Sequence, residues 1–411
     1  MPQSILSHEF PNGLVLVAEP MGSLESAAFT FLVPAGCVHE PADRNGLAAL
    51  ACEMALRGCG SRDSREFIQA LENLGVQRGE SISAMHSGFS GATLAKNLPA
   101  TLEIYADLLR RAHLPDDQLD AGRQTVIQEL RAIEDEPSHK VMLELRRRYF
   151  PDPWGRPSEG NLEALEAVTM GEIRNHYERL FQPRGAIVGV AGRIEWEPLV
   201  DLVGRLFGDW RPREVSPPVA GPRGPRRDHL HHDSNQTQIA IAYESVPYRH
   251  PDYFQASGAV GVLSGGMSSR LFSEVREKRG LCYSVYASYH TLRDQACVLC
   301  YAGTTSQRAQ ETLDVTLGEL RRLAAGVEPG ELARLKTRVK SSLVMQQESS
   351  SARSSAVARD WYHLGRVRTL DEVGQLVDAL TCESINSYLK RNPPRDFTIL
   401  TLGSLPLQVG D

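Results

Sequence analysis

Residues 168–192 read VTMGEIRNHYERLFQPRGAIVGVAG, and residues 380–404 read LTCESINSYLKRNPPRDFTILTLGS. Each stretch begins with a threonine at a helix start, runs through a helix to a proline, and ends in an apolar strand closed by glycine. Ile173 corresponds to Ile385 and Gly192 to Gly403, with one residue lost between the two pairs. This self-similarity indicates that one helix–strand unit is present twice.

The repeat divides the chain into two halves of similar length. A proline-rich segment without an apolar period, RPREVSPPVAGPRGPRRD, occupies residues 211–228 and is typical of an extended linker. We therefore predict an N-terminal domain over residues 1–212, a linker over 213–228 and a C-terminal domain over 229–411. Because helices and strands segregate rather than alternate strictly, the predicted class is α+β.

Composition narrows the classes of function. The 411 residues include 45 Lys and Arg against 51 Asp and Glu, a formal net charge of -6, with the basic residues dispersed. This pattern does not indicate a nucleic-acid-binding surface, and no apolar stretch is long enough to cross a membrane. The first residues lack the features of a secretory signal. We therefore expect a cytoplasmic protein with neither a nucleic-acid nor a membrane partner.

Few cysteines or histidines have the spacing of metal ligands. The seven cysteines are scattered, which favours reduced thiols over a disulfide framework. Cys297 and Cys300 form a lone Cys-x-x-Cys pair in a predicted strand, where residues three apart face opposite sides, so we interpret them as structural. His229, His231 and His232 follow the linker. They could bind a metal, but a solvated strand start fits them better because no partner ligand is evident.

One helix has the spacing of a zinc site. The segment over residues 45–60 reads NGLAALACEMALRGCG, and its apolar residues recur along one helix face. Ala49 and Glu53 are four residues apart and share a face, with Cys52 directly before Glu53. Histidines at the positions of Ala49 and Glu53, with a glutamate at Cys52, would form the zinc pattern His-x-x-Glu-His. A packed core helix is the alternative.

A second motif lies in the C-terminal half. Residues 262–289 read VLSGGMSSRLFSEVREKRGLCYSVYASY, a glycine-rich turn followed by a charged amphipathic segment and a strand. From the residues alone, Arg276 fits a solvated helix charge and Tyr283 fits a buried strand aromatic. The functional alternative is a pair of hydrogen-bond donors, because arginine donates from a planar fork and stays charged.

Both motifs resemble those of the pitrilysin/insulinase-type zinc metallopeptidases, in particular the mitochondrial processing peptidase-like subgroup. The zinc helix of that family matches this chain at Gly46, Ala48, Met54 and Gly58. The resemblance implies that Ala49, Cys52 and Glu53 stand where the first histidine, the glutamate and the second histidine would be. A later helix, VIQELRAIEDEP, places Glu129 at the position of the third zinc ligand.

The resemblance also implies a fold and a substrate site. Two homologous halves, each an α+β unit of the LuxS/processing-peptidase type, would form a clamshell around an internal chamber. Arg276 and Tyr283 fall on the family's substrate-binding pair, which hydrogen-bonds the peptide near its scissile carbonyl. Of the three zinc ligands only Glu129 is retained, and Glu53 adds only a second carboxylate, so we expect no metal in this chain.

We therefore expect the non-zinc subunit of a two-chain zinc metalloendopeptidase that is inactive alone. A homologous partner would supply the zinc, while this chain would supply Arg276 and Tyr283 as substrate and oxyanion donors. Extended peptides would bind by adding a strand to a sheet edge. The alternatives are a catalytically inactive structural or assembly subunit and a peptide-binding homodimer. Retention of both donor residues favours the peptidase subunit.

Overall fold

The computed structural model describes residues 3–409, which group into two compact units. Unit 1 is built from the chain up to Ala132, from Asp152–Gly221 and from Val344–Thr369. Unit 2 is built from Ile133–Pro151, from Pro222–Leu343 and from Leu370 onward. Each unit therefore takes segments from both halves of the sequence.

Unit 1 is a mixed sheet with helices. Its strands are β1 (Leu6–Glu9), β2 (Val15–Pro20), β3 (Ser26–Val33), β4 (Gly58–Cys59), β5 (Arg62–Asp63), β6 (Gln77–Ile82), β7 (Ser87–Leu94) and β8 (Ile187–Gly192). Its helices are α1 (Leu47–Ala55), α2 (Ser64–Asn73), α3 (Leu98–Arg110), α4 (Leu119–Glu134), α6 (Leu162–Ala167), α7 (Met170–Leu180), α8 (Trp196–Phe207) and α12 (Ser350–Leu364). The main sheet has the order β1-β2-β8-β3-β7-β6. Buried aromatic rings pack on it, among them Phe29 against Tyr105.

Unit 2 repeats this plan. Its strands are β9 (Arg227–His231), β10 (Gln236–Ser245), β11 (Cys282–Thr291), β12 (Ala296–Thr305) and β13 (Thr398–Gly403). Its helices are α5 (Pro137–Tyr149), α9 (Tyr253–Ser264), α10 (Ala309–Arg322), α11 (Pro329–Gln346), α13 (Leu370–Asp378) and α14 (Cys382–Arg391), with a π-helical turn over Phe272–Glu277. The sheet has the order β11-β12-β10-β13-β9.

The topology of the two sheets confirms the predicted duplication and the α+β class. Counted from the parallel pair outward, the orders β2-β8-β3-β7-β6 and β9-β13-β10-β12-β11 correspond strand for strand. The repeated sequence stretches form α7 with β8 and α14 with β13. Both helices start with a capping box, at Thr169 and at Thr381, in which side chains satisfy the first free backbone donors.

Two helices pack in a different unit from the rest of their own half of the sequence. The chain passes from unit 1 to unit 2 at Gly221, inside the predicted linker 213–228. However, α12 packs on β8 and β3 of unit 1, and α5 packs on β10 and β13 of unit 2. Each exchanged helix covers a sheet that its own half of the sequence does not build. The predicted domains, 1–212 and 229–411, place α5 in the first domain and α12 in the second. The contacts place α5 in unit 2 and α12 in unit 1.

The contact of α12 with the unit 1 sheet combines an apolar cluster, in which Val357 packs on Val15 and Val17, with buried polar pairs. Arg353 Nε lies 2.7 Å from Glu19 Oε2, and the side chains of this ion pair are 3% and 6% exposed. The Thr30 hydroxyl lies 3.1 Å from the hydroxyls of both Ser354 and Ser355. Buried polar groups of this kind are stable only when each one is paired, so the contact defines one position for the helix.

The cysteines and His229 lie where the sequence patterns predict structural roles for them. All seven cysteines are free, and Cys297 and Cys300 are buried in β12, as a structural interpretation requires. His229 lies on β9 with its Nδ1 2.8 Å from the Thr401 hydroxyl. Over residues 3–409, no helix combines the length and apolarity needed to cross a membrane. A cytoplasmic location stays a prediction.

We expect the substitution Arg353→Met to lower the free energy of unfolding by ~3–5 kcal/mol, because it leaves the Glu19 carboxylate buried without its cation. Urea denaturation measures the change. The matched control is Arg193→Met, which removes an exposed ion pair with Glu25 and should cost about 1 kcal/mol or less. Equal urea midpoints for the two variants would contradict the stabilising role of the buried pair.

Candidate functional site

The helix with zinc-site spacing is α1, and it begins at a left-handed glycine. Gly46 has φ of 105°, which favours glycine, and the chain enters the helix directly after it. The buried Glu40 carboxylate accepts hydrogen bonds from the backbone N–H groups of Gly46 at 3.1 Å and Ala48 at 2.8 Å. Burial raises the pKa of Glu40 to about 8. A buried carboxyl group thus holds the start of α1 in place.

None of the three substituted positions on α1 presents a free ligand. Ala49 has only a methyl group and is half-buried. The Cys52 thiol is buried, and burial, followed by the charge of Glu80, raises its pKa and keeps it protonated. The Glu53 carboxylate accepts hydrogen bonds from Arg57 Nε at 3.1 Å and Nη2 at 2.6 Å. Glu53 is therefore already paired with a cation just beyond the end of its own helix.

The structure does bring Glu129 towards α1. Helix α4 packs against α1 at Gly122, where an added Cβ would lie 2.6 Å from Met54 Sδ and 3.6 Å from Glu53 Cγ. Partial burial raises the pKa of Glu129, and the negative charges of Glu53 and Glu159 raise it further. The Glu129 carboxyl group is therefore close enough to feel the charge of Glu53, as the sequence prediction for these two positions requires.

These residues do not fit a zinc ion. Zinc in proteins takes thiolate, imidazole and carboxylate ligands in tetrahedral geometry, with at least three of them from the protein. Here one position is a methyl group, one is a protonated buried thiol and one is a carboxylate bound by arginine. Among residues 3–409, no group of three or more His, Cys, Asp or Glu side chains has the arrangement of a metal site.

Arg276 lies on the π-helical turn that follows the glycine-rich loop of unit 2. Its guanidinium carbon is 4.8 Å from the centroid of the Phe272 ring and 4.8 Å from that of Tyr283. The nearby carboxylate of Glu274 is engaged by Lys278 at 2.6 Å and Arg279 at 2.8 Å, and these two bonds lower its pKa to about 2. Within the described residues, no carboxylate lies within 4 Å of Arg276.

Tyr283 protrudes from an edge strand because of a β-bulge. In the pairing of β11 with β12, Cys282 faces Thr304 and Ser284 faces Gly303, so Tyr283 has no partner in the ladder. The residue is 84% exposed, and β11 is the edge of its sheet. Bulges of this type redirect a side chain and occur frequently beside functional sites. The sequence expectation that Tyr283 could be a buried strand aromatic is wrong.

The structure therefore brings Arg276 and Tyr283 into contact. The Arg276 guanidinium carbon lies over the Tyr283 ring, and neither the guanidinium nor the tyrosine hydroxyl donates a hydrogen bond to a described residue. Each of the two side chains stands on a backbone irregularity, and π-turns, like bulges, are frequent at functional sites. The third member, Phe272, was not predicted, although its position four residues before Arg276 on a helical segment could have indicated it.

Comparison with known proteins places these features in a family. The family model described as "Insulinase (Peptidase family M16)" matches residues 17–158, and the one described as "Peptidase M16 inactive domain" matches residues 167–339. An uncharacterized zinc protease of Mycobacterium tuberculosis is 26% identical over 97% of this chain and 94% of its own length. One from Bacillus subtilis is 25% identical over 96% of this chain and 98% of its own length.

Solved structures share the fold. The crystal structure of a peptidase M16 inactive domain from Pseudomonas fluorescens superposes with a TM-score of 0.90 at 18% identity, covering 99% of both chains. A protease from Helicobacter pylori superposes with a TM-score of 0.89 at 20% identity, covering 97% of this chain and 99% of its own. Taken with the family models in both halves, these matches show that the chain belongs to the pitrilysin/insulinase family of peptidases, as a member with a degenerate zinc motif.

Proposed function

We propose that this chain is the non-zinc, Arg/Tyr-bearing subunit of a two-chain zinc metalloendopeptidase, of the kind found in the processing peptidase-like subgroup. The observation that carries the proposal is the contrast between the two motifs. The zinc positions hold Ala49, Cys52 and an arginine-paired Glu53, whereas the half-buried Arg276 lies against the ring of the exposed Tyr283. A chain that kept only the donor pair needs another chain to supply a nucleophile.

The donor pair is suited to a developing negative charge. During attack on a peptide carbonyl, the oxygen becomes an oxyanion, and donors fixed in advance around it lower the barrier. The planar Arg276 fork lies against the Tyr283 ring, and Tyr283 brings a neutral hydroxyl beside it. Because no carboxylate neutralises Arg276 among the described residues, its charge remains available to a substrate oxygen.

The proposed partner is a homologous subunit with an intact zinc site. Membership of this family with a degenerate zinc motif is consistent with such pairing. The partner would provide the zinc ion, the attacking water and the general base. The free edge of β11 beside Tyr283 offers unpaired backbone groups to which an extended peptide could add as a strand.

The degenerate α1 is equally compatible with a structural or assembly subunit and with a peptide-binding homodimer. A structural or assembly subunit does not need this arginine–tyrosine contact, which is why we favour the peptidase subunit over it. A peptide-binding homodimer could use the same pair to hold a peptide, and it differs from the peptidase subunit in needing no zinc-bearing partner. Three experiments separate these functions.

Metal content tests the α1 assignment. We expect the purified chain to carry no stoichiometric zinc, because Ala49 offers no ligand atom and the Glu53 carboxylate is already in an ion pair with Arg57. Elemental analysis after purification without chelators measures the zinc-to-protein ratio. About one zinc per chain, lost on Glu129→Ala, would contradict the assignment.

Activity should depend on a second chain. We expect the chain alone to leave unstructured peptides intact, and a mixture with a zinc-bearing homologue from the same organism to cleave them in a chelator-sensitive manner. Peptide cleavage followed by mass spectrometry gives the result. Chelator-sensitive hydrolysis by this chain alone, retained after removal of trace peptidases, would refute the division of labour.

The donor pair can be tested against neighbours of the same residue type. In the assembled enzyme, Arg276→Ala or Tyr283→Phe should lower kcat/KM by ~100-fold or more, as removal of an oxyanion donor does. The controls Arg279→Ala and Tyr286→Phe alter an arginine on the following turn and a tyrosine on the same strand, and both should change the rate little. A parallel fall in kcat indicates a transition-state contact, and a rise in KM alone indicates peptide anchoring. Equal rates for the four variants would favour the assembly subunit.

A further inference from the structure

The glycine-rich loop Gly265–Ser269 borders a cavity that the donor pair does not use. The cavity has a volume of about 180 Å³ and lies between this loop, the end of α9 and one face of α11. Its polar lining consists of Ser268, Ser269, Glu331, Arg334 and Arg338. All of these residues belong to unit 2.

Glycines make room for the Arg338 guanidinium. A Cβ added at Gly265 would collide with Arg338 Nη1, and one added at Gly261 would lie 3.1 Å from Nη2. The guanidinium therefore rests directly against the backbone of the last turn of α9. Burial lowers the pKa of Arg338, and no neighbouring carboxylate offsets this effect. The Arg338 side chain as a whole stays exposed, so a ligand can reach its charge from solvent.

The acidic group in the cavity does not supply that charge. Both carboxylate oxygens of Glu331 are 2.7 Å from the Arg270 guanidinium, and Oε2 also accepts the Glu328 N–H. Arg334 and Arg338 stand one turn apart on α11, an arrangement in which like charges repel. Over residues 3–409, neither arginine has a carboxylate within 4 Å.

The loop adds neutral donors. Among residues 3–409, the backbone N–H groups of Gly266, Met267 and Ser268 have no acceptor, and the hydroxyls of Ser268 and Ser269 have no hydrogen-bond partner. Successive free amides in a turn form a concavity that favours anions. Two arginines, two hydroxyls and free amides around one cavity are a set of donors without an acceptor.

We propose that this cavity binds a carboxylate of the peptide ligand, either its C-terminal group or an Asp or Glu side chain, with Arg338 as the principal contact. The inference rests on the proposed function, since it takes the ligand to be a peptide. Arginine pairs with carboxylates through two parallel hydrogen bonds, which combine charge with orientation. The cavity would then select acidic peptides or fix one end of them.

Peptide binding to the isolated chain tests the proposal without any catalytic readout. One pair of short unstructured peptides differs only in a C-terminal carboxylate or amide, and a second, amidated pair differs only in an internal Glu or Gln. Fluorescence anisotropy gives each Kd for the wild type, Arg338→Gln, Arg338→Lys and the control Arg65→Gln. Arg65 is an exposed residue on α2 of unit 1, so this control makes the same change of charge elsewhere.

In at least one pair, we expect the carboxylate peptide to bind the wild type about 10-fold or more tightly than its neutral counterpart. The pair that shows the difference identifies the source of the carboxylate. Arg338→Gln should abolish the preference, Arg338→Lys should retain part of it, and Arg65→Gln should leave it intact. Equal binding of both members of each pair, unchanged by Arg338→Gln, would overturn the proposal while the peptide-binding function stands. If no peptide binds the isolated chain, this inference fails, whereas the two-chain peptidase stands or falls with the cleavage experiment on the mixed subunits.

Discussion

A helix backbone comes closest to a sheet where a strand residue has no side chain. In unit 1 that position is Gly189 on β8, where an added Cβ would collide with the carbonyl oxygen of Ser354 and lie 2.9 Å from Ala358 Cβ. The close approach brings Arg353 within reach of Glu19, so that the ion pair forms away from water. One strand residue without a Cβ thus allows a distant segment of the chain to cover the first sheet. The second sheet likewise takes a helix, α5, from the other half of the sequence.

Sequence patterns predicted the helices and strands formed by neighbouring residues but missed the contacts between distant segments of the chain. The repeated α7–β8 and α14–β13 elements follow from capping residues, apolar alternation and turn chemistry, all within about 25 residues of each other. The exchange of α5 and α12 has no such signature, because a helix rich in serine and alanine carries little information about the surface it covers. The contacts that place it join residues more than 300 positions apart, such as Thr30 and Ser354.

In the candidate site, too, the sequence predicted some features and missed others. The identities at α1 could be aligned by spacing, and so the replacement of ligands was visible in the sequence. The exposure of Tyr283 was not, since strict alternation along β11 gives no sign that one residue has left the ladder. Nor does a charged amphipathic segment reveal that Glu274 pairs with Lys278 and Arg279 and so leaves Arg276 without an acid. Side-chain pairing, rather than residue type, separates a substrate-binding arginine from an ordinary surface charge.

The exchanged α12 also has a consequence for synthesis on the ribosome. The last strand of the unit 1 sheet ends at Gly192, but the helix that covers it begins at Ser350. At elongation rates of about 5–20 residues per second, the finished sheet waits on the order of ten seconds with that face uncovered. During this interval the nascent chain presents Val15, Val17 and Ile187, an apolar strip later buried under α12. Binding of a chaperone to that strip would protect the chain until its own helix emerges.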